Sequence, residues 1–123
     1  MTRAAFTLAA LTALVVLPAC SASSGSSTPR PNRDLIAHEE ITELSVATAY
    51  EVIERLRPHF LRAARGGGTP NVYINGSRSG GIAILRSIRA DAIQDIRYLS
   101  AVDANLRYGV GNDSGVIEVQ LLR

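Results

Sequence analysis

The sequence has no lysine and no tryptophan, and it contains only one cysteine and six aromatic residues in 123. A single cysteine excludes a fold held together by disulfides within the chain. The 13 basic residues, all arginine, are nearly balanced by 11 acidic ones, and this excess of +2 gives no indication of nucleic-acid binding, which needs a clustered basic face. At 46% hydrophobic and 20% charged residues, the composition is that of one small globular domain.

The first nineteen residues have the pattern of a secretory signal peptide. Arg3 provides a positive start, and an almost continuous apolar run follows over residues 4–17. This run is too short to span a bilayer, which takes about twenty residues, but it suits the core of a signal. An ordinary signal peptide cut nearby would leave Cys20 as a free thiol.

The end of the apolar run, Leu17-Pro18-Ala19-Cys20, resembles the lipobox of bacterial lipoproteins, with proline where a small residue is most common. The resemblance implies removal of residues 1–19 and acylation of Cys20. Serine, not aspartate, follows the cysteine, which by the family's sorting rule favours the outer membrane. We therefore predict a lipid-anchored protein on the periplasmic face of that membrane, since two or more acyl chains give stable anchoring.

Residues 20–33 are rich in serine and proline and have almost no apolar side chains. Such a segment buries too little surface to offset its ordering entropy, so we predict a flexible tether. A flexible chain of this length spans roughly 20 Å root-mean-square. The tether is predicted to hold a folded domain, residues 34–123, close to the membrane.

Local patterns predict four elements of this domain. Thr48 and Glu51 have the spacing of a capping box, and the helix they begin is predicted to end at Arg57 because Pro58 follows. Further elements are a strand at 71–74 turning at Asn75-Gly76 in a type I′ turn, a helix at 102–108 capped by Gly109, and a strand at 116–121 with one buried face.

Other segments give weaker patterns. Residues 35–44 fit a helix or a strand equally, 60–64 fit a strand, 82–88 and 91–93 have helical tendency, and 93–99 fit a strand. Strands and helices thus interleave along the chain. The predicted fold class is α+β, a small mixed sheet with two to three short helices.

Five motifs occur in an order and spacing that resemble the plug domain of TonB-dependent outer-membrane receptors. They are Val72-Tyr73-Ile74-Asn75-Gly76, Leu85-Arg86-Ser87-Ile88, the strand sequence IQDIRYL at 93–99, Arg107-Tyr108-Gly109, and Gly115-Val116-Ile117-Glu118-Val119. The resemblance covers about residues 48–122. It implies a plug-like fold and a partner in the cell envelope, such as a separately encoded outer-membrane barrel.

The sequence also departs from that family. The sequence ends at Arg123, where the family's barrel would be expected to begin, Ser100-Ala101 stand where the family has glycine, and Arg89 stands where it has proline. The resemblance therefore implies a fold and not a transport role, since a fold does not define a function. Asn75, Gly76, Gly109 and Gly115 are predicted to serve turn geometry, because the glycines stand where tight turns need a positive φ.

The sequence shows no catalytic or cofactor motif. His38 and His59 have no second histidine or cysteine at metal-ligand spacing, and Gly66-Gly67-Gly68 lacks the lysine and hydroxyl residue of a phosphate-binding loop. We predict no catalytic residue, metal or cofactor. The chain is predicted not to be an enzyme.

Four arginines between residues 55 and 65 form the densest basic run. Arg62 and Arg65 are candidates for contact with a partner or with anionic lipid headgroups. The alternative, which the sequence favours, is a solvated face whose arginines pair with Glu51 and Glu54.

The predicted function is a non-enzymatic, membrane-tethered interaction module that docks on an envelope protein through a sheet edge or its glycine-rich loops. One alternative is a small periplasmic ligand-binding protein or enzyme, with the loops at 75–81 and 109–115 lining a pocket. Another is a purely structural envelope lipoprotein.

Overall fold

The computed structural model describes residues 32–62 and 67–123. The predicted signal peptide, Cys20, most of the predicted tether and Arg65 lie outside the described residues. Within the described ranges, no helix is both long and apolar enough to cross a bilayer.

Strands and helices are interspersed along the chain. In order they are β1 (Leu35–Ala37), α1 (His38–Thr42), α2 (Ala49–Leu56), a 3-10 helix (Pro58–Leu61), β2 (Asn71–Ile74), β3 (Ser77–Gly80), two 3-10 helices (Ile82–Arg86 and Ala90–Ala92), β4 (Ile93–Leu99), α3 (Ala101–Tyr108) and β5 (Val116–Leu121). The strands form one sheet in the order β1-β4-β5-β2-β3. β2 and β5 pair in parallel and the other neighbours are antiparallel. The prediction of a small mixed α+β sheet with short helices is confirmed.

Local capping explains the bounds of α2. The Thr48 hydroxyl accepts a hydrogen bond from the Glu51 N–H at 3.4 Å, while the Glu51 carboxylate accepts one from the Ala47 N–H at 3.1 Å. The predicted capping box is therefore present in a modified form, with the glutamate reaching one residue further back. The helix ends before Arg57, as the following proline predicts.

The hairpin of β2 and β3 has the predicted two-residue turn. Asn75 and Gly76 have φ values of 49° and 81°, as a type I′ turn requires, and Ile74 pairs with Ser77. A bulge lies between Val72 and Tyr73.

The structure corrects several weaker predictions. The strand predicted at 60–64 is wrong in its described part, since Pro58–Leu61 form a 3-10 helix that begins with proline. The helical tendencies at 82–88 and 91–93 become 3-10 helices. Residues 35–44 contain both alternatives, a strand followed by a five-residue helix.

The sheet is covered on both faces. The main core lies between one face and the helices α1 and α2, and the other face is partly covered by α3. Main-core side chains are Ile36, Ile41, Ala49, Val52, Ile53, Phe60, Val72, Leu85, Ile88, Ala90, Ile93, Ile96, Ile117 and Val119. The second cluster contains Tyr73, Ala104 and Val116. The prediction of one buried face for β5 is wrong, because α3 also buries Val116 and Glu118.

Strand directions place the chain entry beside α3. Leu35, at the start of β1, lies opposite Arg97 near the end of β4, and Val116, at the start of β5, lies opposite Leu99. The predicted tether therefore joins the sheet at the end of the strands where α3 begins and where the loop before β5 stops. We call this end of the sheet the tether end. The Asn75–Gly76 turn lies at the far end, where the Asn75 side-chain oxygen accepts a hydrogen bond from the Leu121 N–H at 2.9 Å.

Candidate interaction surface

Helix α3 is fixed to the sheet along one narrow face. It begins at Ser100, whose hydroxyl accepts a hydrogen bond from the Asp103 N–H at 3.3 Å. Its only buried residue is Ala104, which packs against Tyr73 and Val116. Because alanine is small, the helix lies close to the strands and directs its larger side chains elsewhere.

Glu118 holds the end of α3. Its side chain is only 3% exposed, and one carboxylate oxygen accepts a hydrogen bond from the Tyr108 hydroxyl at 2.5 Å and forms a salt bridge with the Arg107 guanidinium at 3.0 Å. The Tyr108 ring also stacks on Tyr73, with ring centroids 4.0 Å apart. A buried carboxylate is stable only with such charge-assisted partners. Glu118 therefore links the middle of β5 to the last turn of the helix.

Sequence reasoning missed the role of Glu118. Alternation along β5 places it on the face opposite Ile117 and Val119, which was predicted to be solvated. Its partners Tyr108 and Arg107 belong to α3, and their distance from Glu118 depends on how this helix packs across the sheet. A local sequence pattern does not predict that packing.

Charges continue across this face of the sheet. Arg97 of β4 lies opposite Glu118 on the neighbouring strand β5. Asp95 lies two residues before Arg97 and therefore on the same face of β4. Burial raises the pKa of Asp95, and the negative charge of Glu118 adds to the rise while Arg97 opposes it. The face that α3 leaves open is thus polar, with charges of both signs.

The pKa of Tyr108 gives a testable consequence of this arrangement. Burial, followed by the hydrogen bond to Glu118, raises the pKa of Tyr108 to about 12 from the usual 10.0. A raised pKa in the folded state adds stability that is complete below pH 10 and is lost as the pH rises towards 12. Because the ring is only partly buried, we expect a loss of about 1 kcal/mol from this group.

The measurement is urea unfolding of the wild type and of Tyr108→Phe at pH 8 and at about pH 11.5. The free-energy difference between the two proteins should shrink at the higher pH, since only the wild type can lose the phenol proton. A difference that stays constant would show that the Tyr108–Glu118 hydrogen bond does not control this titration.

The loop from Gly109 to Gly115 is fixed by a buried asparagine. Asn112 is 2% exposed, and its side-chain NH2 donates to the Gly109 carbonyl at 3.0 Å. Its side-chain oxygen accepts from the Asn71 amide at 3.0 Å, and its backbone N–H donates to the Asn105 side chain at 3.0 Å. These bonds connect the loop to itself, to β2 and to α3, so its shape is set by the scaffold.

Helix α3 and the loop that follows it carry three exposed apolar side chains, Val102, Leu106 and Val110, which we call the apolar ridge. Their exposed fractions are 69%, 82% and 96%. Val102 and Leu106 are four residues apart and are neighbours on the outer face of α3, and Val110 directly follows the capping Gly109. Of the four exposed large hydrophobic side chains in the described part of the chain, three belong to this ridge and the fourth is Leu122.

The predicted turn residues lie in two places. Gly109 and Gly115 bound the loop beside the ridge, with φ values of 87° and 82°, whereas Asn75 and Gly76 lie at the far end of the sheet. The tip of the 75–81 loop is therefore far from the 109–115 loop. Among the hydrogen bonds of the described residues, the two segments are connected only through Asn71: the Arg78 guanidinium donates to its side-chain oxygen at 3.1 Å, and its side-chain NH2 donates to the Gly111 carbonyl at 3.1 Å.

Four shallow cavities lie elsewhere. Their lining residues are 41, 42, 44, 46, 90 and 91; 35, 37–39, 94, 95 and 97; 46–48, 89 and 91; and 33, 34 and 59. None of the four is lined by residues 75–81 or 109–115. The alternative of a ligand pocket between these two loops gains no support from them.

The arginines of the basic run do not form the salt bridges that the sequence predicts. Arg57 forms a salt bridge with Glu40 at 3.1 Å, and Glu51 is used in the cap of α2. Arg62 is exposed, and Arg65 lies outside the described residues. The predicted pairing with Glu51 and Glu54 is therefore wrong for Arg57, because the chain reverses after α1 and brings Glu40 beside it.

The two histidines have structural neighbours. The Nδ1 atom of His38 lies 2.8 Å from the Ile93 carbonyl, and the ring of His59 meets Phe60 edge-on. Among residues 32–62 and 67–123, no group of three potential metal-ligating side chains comes together.

No protein-family model, curated protein or solved structure matches this chain. The resemblance to receptor plug domains and to lipoprotein signals stays a prediction. Any function is inferred from the residues of this chain and their geometry.

Proposed function

We propose that this chain is a lipid-anchored, non-enzymatic interaction module on the periplasmic face of the bacterial outer membrane, and that it binds an envelope protein through the apolar ridge. The observation that carries the proposal is the exposure of Val102, Leu106 and Val110 beside a helix and loop that Glu118 and Asn112 hold in place. Exposed apolar groups that cluster on a folded surface mark interaction sites.

The rigidity of the scaffold supports this proposal. Glu118 and Asn112 hold α3 and the following loop in place through buried hydrogen bonds. A surface that is already ordered loses little conformational entropy on binding, so a small apolar contact yields more affinity. The ridge therefore suits a partner with an apolar groove.

Charged groups beside the ridge add selectivity. Asp103 and Arg107 lie next to Val102 and Leu106 in the helix, and Arg107 is half exposed although it contacts Glu118. A partner is expected to carry a basic and an acidic group around its groove, because complementary charges exclude wrong partners. A separately encoded outer-membrane barrel, the partner implied by the plug resemblance, is one envelope protein that the anchor would bring within reach.

The sheet edge at β3 is a poorer docking site. The strand has four residues, carries Arg78 and is bulged against β2. Short length, charge and bulges are the features with which proteins protect an edge from pairing. The ridge is therefore the surface that we assign to the partner.

Site-specific photo-crosslinking in growing cells tests this function. With the crosslinking residue at position 110, we expect a discrete protein adduct. The additional change Leu106→Glu should reduce its yield at least tenfold, because an unpaired carboxylate would be buried in the contact. The matched control is Leu122→Glu, which adds the same charge at the other exposed large hydrophobic residue and should leave the yield unchanged.

The same cells report on the anchor. Labelled palmitate should enter the wild-type chain and not Cys20→Ser, and the mature protein should fractionate with the outer membrane. Absence of label would overturn the lipid anchor. Adducts that form equally well with Leu106→Glu would overturn the ridge as the binding surface.

A further inference from the structure

A second surface lies where the predicted tether meets the domain. The Asp34 carbonyl accepts a hydrogen bond from the Tyr98 N–H at 2.8 Å, which fixes the chain entry at the tether end of the sheet. If Cys20 carries the anchor, only residues 21–31 of the sequence separate it from Asn32. The tether end is then the part of the domain that is held closest to the lipid surface.

Three side chains form a basic corner at this end, which we define as Arg33, His59 and Arg62. Arg33 and His59, together with Asp34, line one cavity of about 440 Å³. Arg62 directly follows the 3-10 helix, and its N–H donates to the His59 carbonyl at 3.3 Å, which keeps the two backbones side by side. All three side chains are exposed. The two arginines exceed the single charge of Asp34, so the corner is net positive.

The corner is held in place by the core. Phe60, which follows His59 in the sequence, is fully buried. Its ring stacks on Tyr98 with ring centroids 5.4 Å apart. Tyr98 belongs to β4, so the 3-10 helix is fixed against a central strand. The backbone that carries His59 and Arg62 is therefore anchored to the core.

We propose that the basic corner binds the phosphates of anionic lipid headgroups in the membrane that holds Cys20, and so sets the orientation of the domain. The proposal rests on the lipid anchor proposed above. Guanidinium groups suit phosphate because they donate two parallel hydrogen bonds. The anchor supplies a high effective concentration of headgroups, so two arginines suffice for a contact that would be too weak without it.

This orientation leaves the ridge accessible. Phe60, which lies in the same 3-10 helix as His59, belongs to the main core on one side of the sheet, whereas α3 lies on the opposite face. With the corner on the headgroups, the ridge remains free for a partner that is embedded in the same membrane.

The test uses the mature, acylated protein in vesicles of phosphatidylcholine with and without phosphatidylglycerol. Acylation blocks the only native thiol, so a nitroxide label can be attached at Thr69→Cys near the tether end or at Leu122→Cys at the far end. A lipid-bound paramagnetic relaxer then reports how close each label lies to the headgroups. On anionic vesicles, the label at position 69 should be much closer to the surface than the label at position 122.

The double variant Arg33→Gln/Arg62→Gln should lower the ratio of docked to undocked protein roughly thirty-fold, which corresponds to about 1 kcal/mol for each arginine at an anionic surface. The matched control is Arg89→Gln/Arg123→Gln, which removes the same two charges at the far end and should leave the ratio unchanged. High salt should act like the double variant, because it screens the attraction.

Three outcomes would overturn the proposal: equal proximity of the two labels on anionic vesicles, docking that persists on pure phosphatidylcholine, or equal effects of the two double variants. Failure of the anchor itself gives a different result, because the protein would then not sediment with vesicles of either composition. Loss of docking on addition of millimolar inorganic phosphate would assign the corner to a free anion instead of a lipid.

Discussion

Gly115→Ala is expected to lower the free energy of unfolding by about 3 kcal/mol, a large part of the stability of a small domain. At this position φ is 82°, and an added Cβ would lie 2.6 Å from the Tyr98 hydroxyl oxygen and 2.8 Å from the Leu99 carbonyl oxygen. The left-handed backbone costs alanine about 1–2 kcal/mol, and the overlap adds a similar amount. Tyr98 can rotate away, but the Leu99 carbonyl belongs to β4 and cannot move without disturbing the sheet.

The matched control is Gly76→Ala, in the turn between β2 and β3. Its φ is 81°, close to that of Gly115, and no atom lies within 4 Å of an added Cβ, so only the backbone cost of about 1–2 kcal/mol should appear. Urea denaturation measures both variants. Equal losses would show that the contact at Gly115 relaxes, and that turn geometry alone explains this glycine.

Glu118→Leu is expected to cost about 2 kcal/mol and to weaken partner binding without changing the ridge. The leucine fills the space but leaves the Tyr108 hydroxyl without its acceptor, at a cost of about 1–3 kcal/mol. Arg107 loses its buried partner as well, although its side chain is half exposed and can turn to water. The last turn of α3 should then loosen, and Leu106 and Val110 should lose their fixed spacing.

Urea denaturation measures the stability change, and photo-crosslinking at position 110 measures the effect on binding. Glu118→Gln, which retains an oxygen acceptor without the charge, should lie between wild type and Glu118→Leu in both experiments. If Glu118→Leu lost stability but crosslinked as well as wild type, the link between this carboxylate and the ridge would be disproved.

Local patterns predicted the features that depend on a few adjacent residues. The cap at Thr48, the end of α2 before Pro58, the turn at Asn75-Gly76 and the end of α3 at Gly109 all follow from backbone preferences within four or five residues. These preferences act in the same way wherever the segment lies in the fold. The α+β class could therefore be predicted, although the strand predicted at 60–64 was wrong and residues 35–44 were left open between helix and strand.

Features that depend on several elements could not be predicted. Val102 and Leu106 are the large apolar residues of α3, and a sequence pattern favours burying them, yet Ala104 is the residue that faces the sheet. The close approach of the helix to Tyr73 and Val116 selects the smaller side chain. The surface that we assign to the partner was invisible in the sequence for this reason.

The sequence by itself determined the cap of α2, the turn at Asn75-Gly76, the end of α3 and the strands at 71–74, 93–99 and 116–121, because each of these is decided by neighbouring residues. Only the tertiary structure decided that Glu118 is buried, that the ridge is exposed, and that Arg33 and His59 line one cavity where the chain enters. These features arise from contacts between residues far apart in sequence, such as the pairing of Asp34 with Tyr98 and of Tyr108 with Glu118. Such contacts exist only once the strands have taken their order in the sheet.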